Sequence, residues 1–164
     1  MIARSNSYTD LRNQAIPLAD LDEEERELLQ RIHNRADENP EWNEFDTFWW
    51  REVAKLYDGR GVSRRTSMQS PVYRIAQDLS SRLAINAGLA REPDYRDELA
   101  DLIRRRFKTR REFCDATGIS PDMLSHVLAR RKHLSIEALE QALSRIGCTL
   151  RIAPAEHTDR TVVG

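Results

Sequence analysis

Residues 117–125 read TGISPDMLS, and this stretch ends one helix only two residues before it starts another. Gly118 is a typical helix-ending residue, because glycine adopts the left-handed cap conformation without a Cβ penalty. Ser120 followed by Pro121 is a helix-start signal, since serine caps free backbone N–H groups and proline suits the first helical position. A turn this short predicts two helices that cross at a steep angle.

The residues on either side of the turn fit such a pair of helices. Thr109 is expected to cap the first helix, and the small residue Cys114 stands four positions before Gly118. Leu124 and Val127 follow the glycine at the sixth and ninth positions. A helix-turn-helix needs this set, because the small residue allows close approach and the two aliphatic side chains hold the second helix on the core.

The segment TRREFCDATGISPDMLSHVLARRKHLSIEALEQALSRIGCTL (109–150) resembles, without a gap, the lambda-repressor/Cro-like (Xre-type) DNA-binding domain. The resemblance covers residues 94–152 and departs from the family at two places. Cys114 stands where the family commonly has alanine, and RRKH (130–133) replaces its usual Asn-Gly turn. The ending IGCTLRI (146–152) is also similar to antitoxins of the HigA kind, in which a short strand after the last helix can support dimerisation.

The resemblance implies that a recognition helix starting at Pro121 enters the major groove of DNA. Its outward-facing residues would meet base edges, and basic residues near the helix ends would meet phosphates. For His126 a plain surface position is nearly as good an interpretation as a base contact. The candidate DNA-binding residues are Thr109, Arg110, Arg111, Ser120, Pro121, Asp122, Ser125, His126, Arg130, Arg131 and Lys132.

Charge is distributed unevenly along a chain whose formal net charge is only −1. Residues 1–60 carry 8 basic and 14 acidic side chains, whereas residues 103–133 carry 9 basic and 3 acidic ones. The second segment is a local basic patch of the kind that binds nucleic acid. Taken alone, RRRFKTRR (104–111) is more simply a solvated helix face, but beside the helix-turn-helix pattern DNA contact is the better interpretation.

The chain as a whole predicts an all-α fold in which a helical region precedes the helix-turn-helix domain. Residues 18–92 show the periodicity of about three helices, with VSRRTSMQ (62–69) as a basic loop. The sequence does not indicate the role of this region, for which a partner surface and a dimer surface are the candidates. Residues 1–17 lack periodicity and predict a flexible arm. The second domain spans 93–153, with a helix start expected at Pro93, and residues 154–164 are expected to form a tail.

An aromatic cluster in the second predicted helix is most simply part of a core. It contains two consecutive tryptophans, which point about a hundred degrees apart on a helix. One of them can therefore be exposed and available to a partner. The members of the cluster are Phe45, Phe48, Trp49 and Trp50.

The alternation of Cys148, Leu150 and Ile152 predicts a short strand at the end of the second domain. A lone strand leaves unpaired backbone groups, so we expect the same strand of a second copy to pair with it and form a homodimer. A dimer is also expected because one recognition helix reads too few base pairs to be specific.

Patterns typical of catalysis or metal binding do not occur in this sequence. It has no Gly-rich phosphate loop, no HExxH and no nucleophile elbow, and its two cysteines form no CxxC. Cys114 and Cys148 are therefore expected in the core rather than at a zinc site, and His133 in a turn or near a phosphate. We expect no enzymatic activity, no cofactor and no metal.

The sequence predicts a cytoplasmic protein, since it has two lone thiols and neither an apolar signal core nor a run that could span a membrane. Its expected function is sequence-specific binding of double-stranded DNA as a transcriptional regulator, acting as a dimer on a palindromic operator. The alternative is an antitoxin that neutralises a toxin through residues 18–92 and binds its own operator through 94–152. A third class, an enzyme or an interaction module that does not bind DNA, is disfavoured by the basic patch.

Overall fold

The computed structural model describes residues 6–152, which form eight helices and one two-stranded sheet. The predicted all-α class is confirmed at this coarse level, because the sheet has only two short strands. None of the helices within residues 6–152 has the length and apolar character needed to cross a membrane. The strands are β1 (Ser7–Thr9) and β2 (Ala15–Pro17). The helices are α1 (Glu23–Asp37), α2 (Trp42–Gly59), α3 (Arg64–Ser67), α4 (Pro71–Asn86), α5 (Tyr95–Arg106), α6 (Arg110–Thr117), α7 (Pro121–Leu128) and α8 (Ile136–Arg145).

The chain divides into two compact units, the first ending at Pro93 and the second beginning at Asp94. The predicted boundary lay one residue earlier. In the first unit α1, α2 and α4 pack together and the hairpin β1–β2 lies on α4. Their side chains form one hydrophobic core, whose most deeply buried members include Ile16, Leu28, Ile32, Phe45, Val53, Val72 and Ile75.

The aromatic cluster of α2 is largely a core, as the sequence predicts. Phe45 and Trp49 are buried, and Phe48 is partly buried against the same core. Trp50 keeps 37% of its surface exposed. The two adjacent tryptophans therefore differ in burial because only one of them lies on the inner face of the helix.

The prediction of a flexible arm over residues 1–17 is wrong for residues 6–17. β1 and β2 pair antiparallel with Tyr8 opposite Ile16, and Ile16 is only 1% exposed. The side chain of Asp10 accepts backbone N–H bonds from Arg12 and Gln14 at 2.9 Å, which closes the turn. Three-residue strands are too short to show alternation, which is why the periodicity missed them. Residues 1–5, and the tail predicted for 154–164, lie outside the described residues.

A buried carboxylate on α4 holds the hairpin in place. Asp78 Oδ2 accepts a hydrogen bond from the Tyr8 hydroxyl at 2.6 Å, and its Oδ1 accepts one from the backbone N–H of Leu11 at 2.8 Å. Arg82 donates from Nε to Asp78 at 2.7 Å and from Nη2 to the carbonyl of Thr9 at 3.2 Å. Because Asp78 is almost fully buried and satisfied by donors from the hairpin, the two elements stabilise each other.

We expect Asp78→Ala to detach the hairpin from α4. The substitution leaves Tyr8 and Arg82 without their shared acceptor, at about 1–3 kcal/mol for each buried polar group left unsatisfied. Limited trypsin digestion should then cleave after Arg12, in the hairpin turn, faster than in the unmodified chain. Asp78→Asn is the matched control, since it keeps one acceptor oxygen. An unchanged cleavage rate in Asp78→Ala would show that Ile16 burial alone holds the hairpin.

Two further boundaries differ from the sequence prediction. The segment 62–69, predicted as a basic loop, contains the short helix α3, and the Ser63 side chain caps it by accepting from the backbone N–H of Thr66 at 3.2 Å. Helix α5 does not begin at Pro93. Its cap is Asp94, whose side chain and that of Asp97 form reciprocal bonds with each other's backbone N–H groups.

The second unit contains α5 to α8 around a smaller core. Phe113 and Val127 are completely buried, and the ring of Phe107 packs edge-on against Phe113 with centroids 5.4 Å apart. Cys114 is buried as predicted, and burial raises the pKa of its thiol, so it stays protonated and apolar. The other buried members of the cluster are Leu99, Ile103 and Leu124.

The strand predicted at the end of this unit is not formed in the described residues. Residues 148–152 have no regular structure, and residue 153 lies outside the described range. Cys148, predicted in the core, is only half-buried, and Leu150 is 40% exposed. The apolar alternation is present in the sequence, but the described part of the chain offers no strand beside it to supply backbone partners.

Candidate nucleic-acid interface

Two arginines without ion pairs lie at the start of α6, directly after the residue that caps the helix. Thr109 Oγ1 accepts a hydrogen bond from the backbone N–H of Glu112 at 3.2 Å, so this candidate residue is a helix cap. Arg110 and Arg111 follow in the first turn, and both are exposed. Neither forms an ion pair with any residue in 6–152. Their guanidiniums are therefore available to anions from outside the chain.

The turn between α6 and α7 depends on a glycine. Gly118 has φ +77°, and its backbone N–H donates to the carbonyl of Cys114 at 2.8 Å. Arg145 of α8 donates from Nη1 to the carbonyl of Thr117 at 3.1 Å, and a Cβ at Gly118 would collide with that guanidinium. Ser120 Oγ then accepts from the backbone N–H of Met123 at 3.2 Å and caps α7. The helix stop and the helix start are both confirmed as the sequence predicted them.

Helix α7 has one buried and one exposed side. Leu124 and Val127 are buried, as expected, and Leu128 is half-buried. His126, predicted to face outward, is half-buried. The exposed positions on and after this helix are Pro121, Asp122, Ser125 and Ala129.

Arg130, predicted as a phosphate contact, is instead bound to carboxylates of α5. Its Nη1 contacts the carboxylate of Asp94, and its Nη2 lies 2.6 Å from Oδ2 of Asp97. Burial raises the pKa of Asp94, but the backbone N–H of Arg96 and the guanidinium of Arg130 lower it by more, so the pKa lies below its ordinary value. The phosphate contact of Arg130 therefore stays a prediction, and in this structure its guanidinium is paired with two carboxylates of its own unit.

The backbone explains why Arg130 occupies this place. Its φ is +62°, its N–H donates to the carbonyl of Val127 at 2.9 Å, and the N–H of Arg131 donates to the carbonyl of His126 at 2.8 Å. This is the helix-ending arrangement in which glycine or asparagine usually takes the left-handed position. An arginine there costs roughly 1–2 kcal/mol, and the contacts with the α5 carboxylates offset that cost.

The two residues after Arg130 remain exposed. Arg131 and Lys132 form no ion pair with the described residues, and their backbone N–H groups both point to the carbonyl of His126. A cavity of about 280 Å³ lies between the second half of α5 and the start of α6, and Leu128 of α7 also lines it. Because Thr109 and Arg110 line the same cavity as Leu128, the start of α6 lies near the end of α7, after which Arg131 and Lys132 follow.

A buried arginine that no sequence pattern indicates contacts the same loop. Arg96 of α5 is 6% exposed, its guanidinium lies 5.4 Å from the ring centre of Tyr95, and its Nη2 is 2.8 Å from Nε2 of His133. The Tyr95 hydroxyl accepts from the backbone N–H of Leu134 at 3.0 Å. His133 is thus a turn residue that contacts the helix α5, and no sequence signal links it to a partner 37 positions away.

The remaining basic residues near α6 divide into paired and unpaired ones. Arg104 is paired with Asp101, and Arg106 donates to the carbonyl of Ile146 at 3.0 Å. Arg105 and Lys108 are exposed and have no side-chain partner among the described residues.

Among residues 6–152 no group of three or more His, Cys, Asp or Glu side chains lies close enough to hold a metal ion.

In comparisons with known proteins, no protein-family model, no curated protein and no solved structure matches this chain.

Proposed function

We propose that residues 94–152 form a DNA-binding unit of the helix-turn-helix kind. The chain is proposed to bind specific sequences of double-stranded DNA and so to regulate transcription. The observation that carries the proposal is the position of the unpaired cations. Arg110 and Arg111 precede the turn, Arg131 and Lys132 follow α7, and the side chains exposed between them are small or polar. Cations at both ends suit phosphates, and the exposed side of α7 suits the major groove.

The polar residues of α7 divide into one group that holds the helix and one that remains for bases. Ser120 is used as the cap, so its side chain fixes the start of α7. Asp122 and Ser125 are exposed, and His126 is half-exposed beside them. A hydroxyl and an imidazole can donate to or accept from base edges, and a carboxylate accepts from cytosine N4.

The regulator is proposed to act as a homodimer on a palindromic operator. One α7 spans too few base pairs for specificity, and two copies reading half-sites a helical turn apart supply the remainder. Leu150 and Ile152 are exposed apolar residues, and with Cys148 they are the proposed contact between copies. Pairing of these segments across a two-fold axis would give each of them the backbone partners that it lacks in one copy.

Selection of bound sequences from random duplex DNA tests this function. The expected result is a palindromic consensus whose half-sites lie about 10 base pairs apart, centre to centre. Ser125→Ala and His126→Ala should each change the preferred bases by about 1–3 kcal/mol of discrimination per lost contact. Arg26→Ala is the control, because it removes an exposed charge from α1 of the first unit. A single asymmetric half-site would contradict the dimer, and the absence of any enriched sequence would contradict the regulator.

An antitoxin is the second candidate function. It is favoured by one observation, the separate core of the first unit, which gives the chain a second module beside the proposed DNA-binding one. Such a protein would bind a toxin through residues 18–92 and its own operator through the second unit. It is tested by whether residues 1–93 alone relieve the toxicity of a small protein encoded next to this gene.

A further inference from the structure

The first unit presents a tryptophan that is held rigidly and left partly uncovered. Trp50 is 37% exposed, and its ring contacts those of Trp49 and Tyr73 edge-on, with centroids 5.8 and 6.0 Å away. Those two neighbours are buried in the core of the unit. An aromatic side chain that is already fixed loses little conformational entropy when a partner covers it.

Arg64 contacts this ring, and other exposed cationic and apolar residues are close to Trp50 or Arg64 in the sequence. The guanidinium of Arg64 lies over the Trp50 ring, 4.9 Å from its centre. Met68 stands one helical turn after Arg64 and is 44% exposed. Arg51 and Arg65 are the exposed neighbours of Trp50 and Arg64 in the chain. We call these five residues the Trp50 surface.

The charge of the Trp50 surface is opposite to that of its unit. Residues 1–93 contain 13 basic and 16 acidic side chains, but residues 59–77 include four arginines and no acidic residue. Four other arginines of the unit have carboxylate partners: Arg31 pairs with Glu52, Arg35 with Glu38, Arg60 with Asp22 and Arg82 with Asp78. Arg51, Arg64 and Arg65 form no ion pair with any described residue.

We propose that the Trp50 surface is the docking site of a protein partner that presents an apolar side chain flanked by Asp or Glu. Trp, Met and Arg are the residue types enriched where proteins meet, and Trp and Arg contribute most of the binding energy there. The apolar side chain would pack on Trp50 and Met68. The flanking carboxylates would pair with the three arginines, which the unit itself leaves without anions.

The arrangement fits a protein better than a nucleic acid. Single-stranded nucleic acids bind where bases stack on open aromatic faces along a basic groove, whereas the guanidinium of Arg64 already lies over the Trp50 ring. The surface also has an apolar centre, because Trp50 and Met68 are both large and exposed. This inference does not depend on DNA binding by the second unit.

Selection of peptides on the full chain tests the proposal directly. A displayed library of random twelve-residue peptides is selected on the chain, after depletion on the Trp50→Ala variant. We expect a consensus with Asp or Glu on both sides of Leu, Ile or Phe. Synthetic peptides of that consensus should bind the chain by fluorescence anisotropy, and they should bind less tightly as salt is raised.

Matched variants identify the surface. Trp50→Ala and the double variant Arg64→Glu/Arg65→Glu should each weaken peptide binding about tenfold or more, as expected for residues that dominate an interface. Trp42→Ala should leave it unchanged, since Trp42 is 36% exposed but lies two turns away on α2. Arg26→Glu is the control for charge, because Arg26 lies on α1. Far-ultraviolet circular dichroism establishes which variants fold. If Trp50→Ala does not fold, the binding measured for Arg64→Glu/Arg65→Glu decides the test.

Three results would overturn the proposal. One is a selection that yields no peptide able to distinguish the chain from Trp50→Ala, or a consensus without acidic residues. Another is tight binding of a twelve-residue oligothymidine that Arg64→Glu/Arg65→Glu abolishes, which would make the surface a nucleic-acid site. The third is self-association in light scattering that Trp50→Ala abolishes, which would make the occupant a second copy of this chain.

Discussion

Arg131→Ala is expected to weaken binding of this chain to every DNA duplex, specific or not, and to make binding less sensitive to salt. Arg131 is exposed at the end of α7 and has no anionic partner among the described residues. A lost charged contact with phosphate costs about 1.5–3 kcal/mol, which is tenfold or more in affinity. Because a phosphate contact carries no base preference, the consensus sequence should stay the same.

The salt dependence of DNA binding by the unmodified chain is the reference with which the Arg131→Ala variant is compared. Arg110, Arg111, Arg131 and Lys132 are free cations in each copy, so a dimer that uses most of them neutralises six to eight phosphates. Affinity should then fall by about 10³-fold or more between 50 and 200 mM salt. Arg131→Ala should reduce the slope of log affinity against log salt by about 1 for each copy. Titration of a labelled duplex by fluorescence anisotropy at several salt concentrations measures both.

Arg130→Ala is the matched comparison, because the two arginines are adjacent and differ only in their partners. Arg130 contacts Asp94 and Asp97, so its loss should lower the melting temperature of the second unit and leave the salt slope unchanged. Arg131→Ala should leave the melting temperature unchanged and reduce the salt slope. If both variants reduce the slope equally, the contacts with Asp94 and Asp97 open when DNA binds. If neither does, the phosphates lie elsewhere and the proposed interface is wrong.

The parts of the fold that the sequence predicted are those whose causes are local. Gly118 ends a helix and Ser120 begins one where expected, because a cap depends on one residue and the three that follow or precede it. The buried side of α7 could also be predicted from the sequence, since Leu124 and Val127 are one helical turn apart. Local rules therefore located the turn and the exposed side of the candidate interface.

The parts that were missed depend on residues far apart in the sequence. The hairpin at 7–17 is held by Asp78, which lies 70 positions after Tyr8. Arg130 is neutralised by carboxylates more than 30 positions before it. Neither contact has a periodic signal, so composition alone classified the first segment as an arm and the second as a free cation. The predicted strand failed for the same reason, because alternation shows which residues share a side but not whether a second strand is present.

These contacts explain how the segment RRKH (130–133) ends α7. An Asn-Gly turn would take the left-handed conformation without strain. Arg130 takes it with strain, and two carboxylates at the start of α5 hold it there. The end of α7 is therefore tied to α5 by side chains rather than by a permissive backbone. This arrangement fixes where Arg131 and Lys132 emerge from the unit.

Phe113→Ala is expected to unfold the second unit and leave the first unit folded. Phe113 is completely buried and packs against Phe107, and removal of such a ring costs about 3–5 kcal/mol. A core of this size rarely supplies more than about 3–5 kcal/mol of net stability in a domain below 70 residues. The substitution should therefore consume most of it, and DNA binding should be lost with the fold.

The distribution of tryptophan makes the two units separately observable. All three tryptophans, at positions 42, 49 and 50, belong to the first unit. Tryptophan fluorescence therefore reports that unit alone, while circular dichroism at 222 nm reports the helices of both. In Phe113→Ala the helical signal should fall at 25 °C, and the fluorescence transition should keep the midpoint of the unmodified chain. Phe113→Leu, which keeps an apolar side chain at the site, should retain both signals and DNA binding. If the fluorescence transition moves together with the helical signal in Phe113→Ala, the two units unfold as one, and their separate cores do not make them independent.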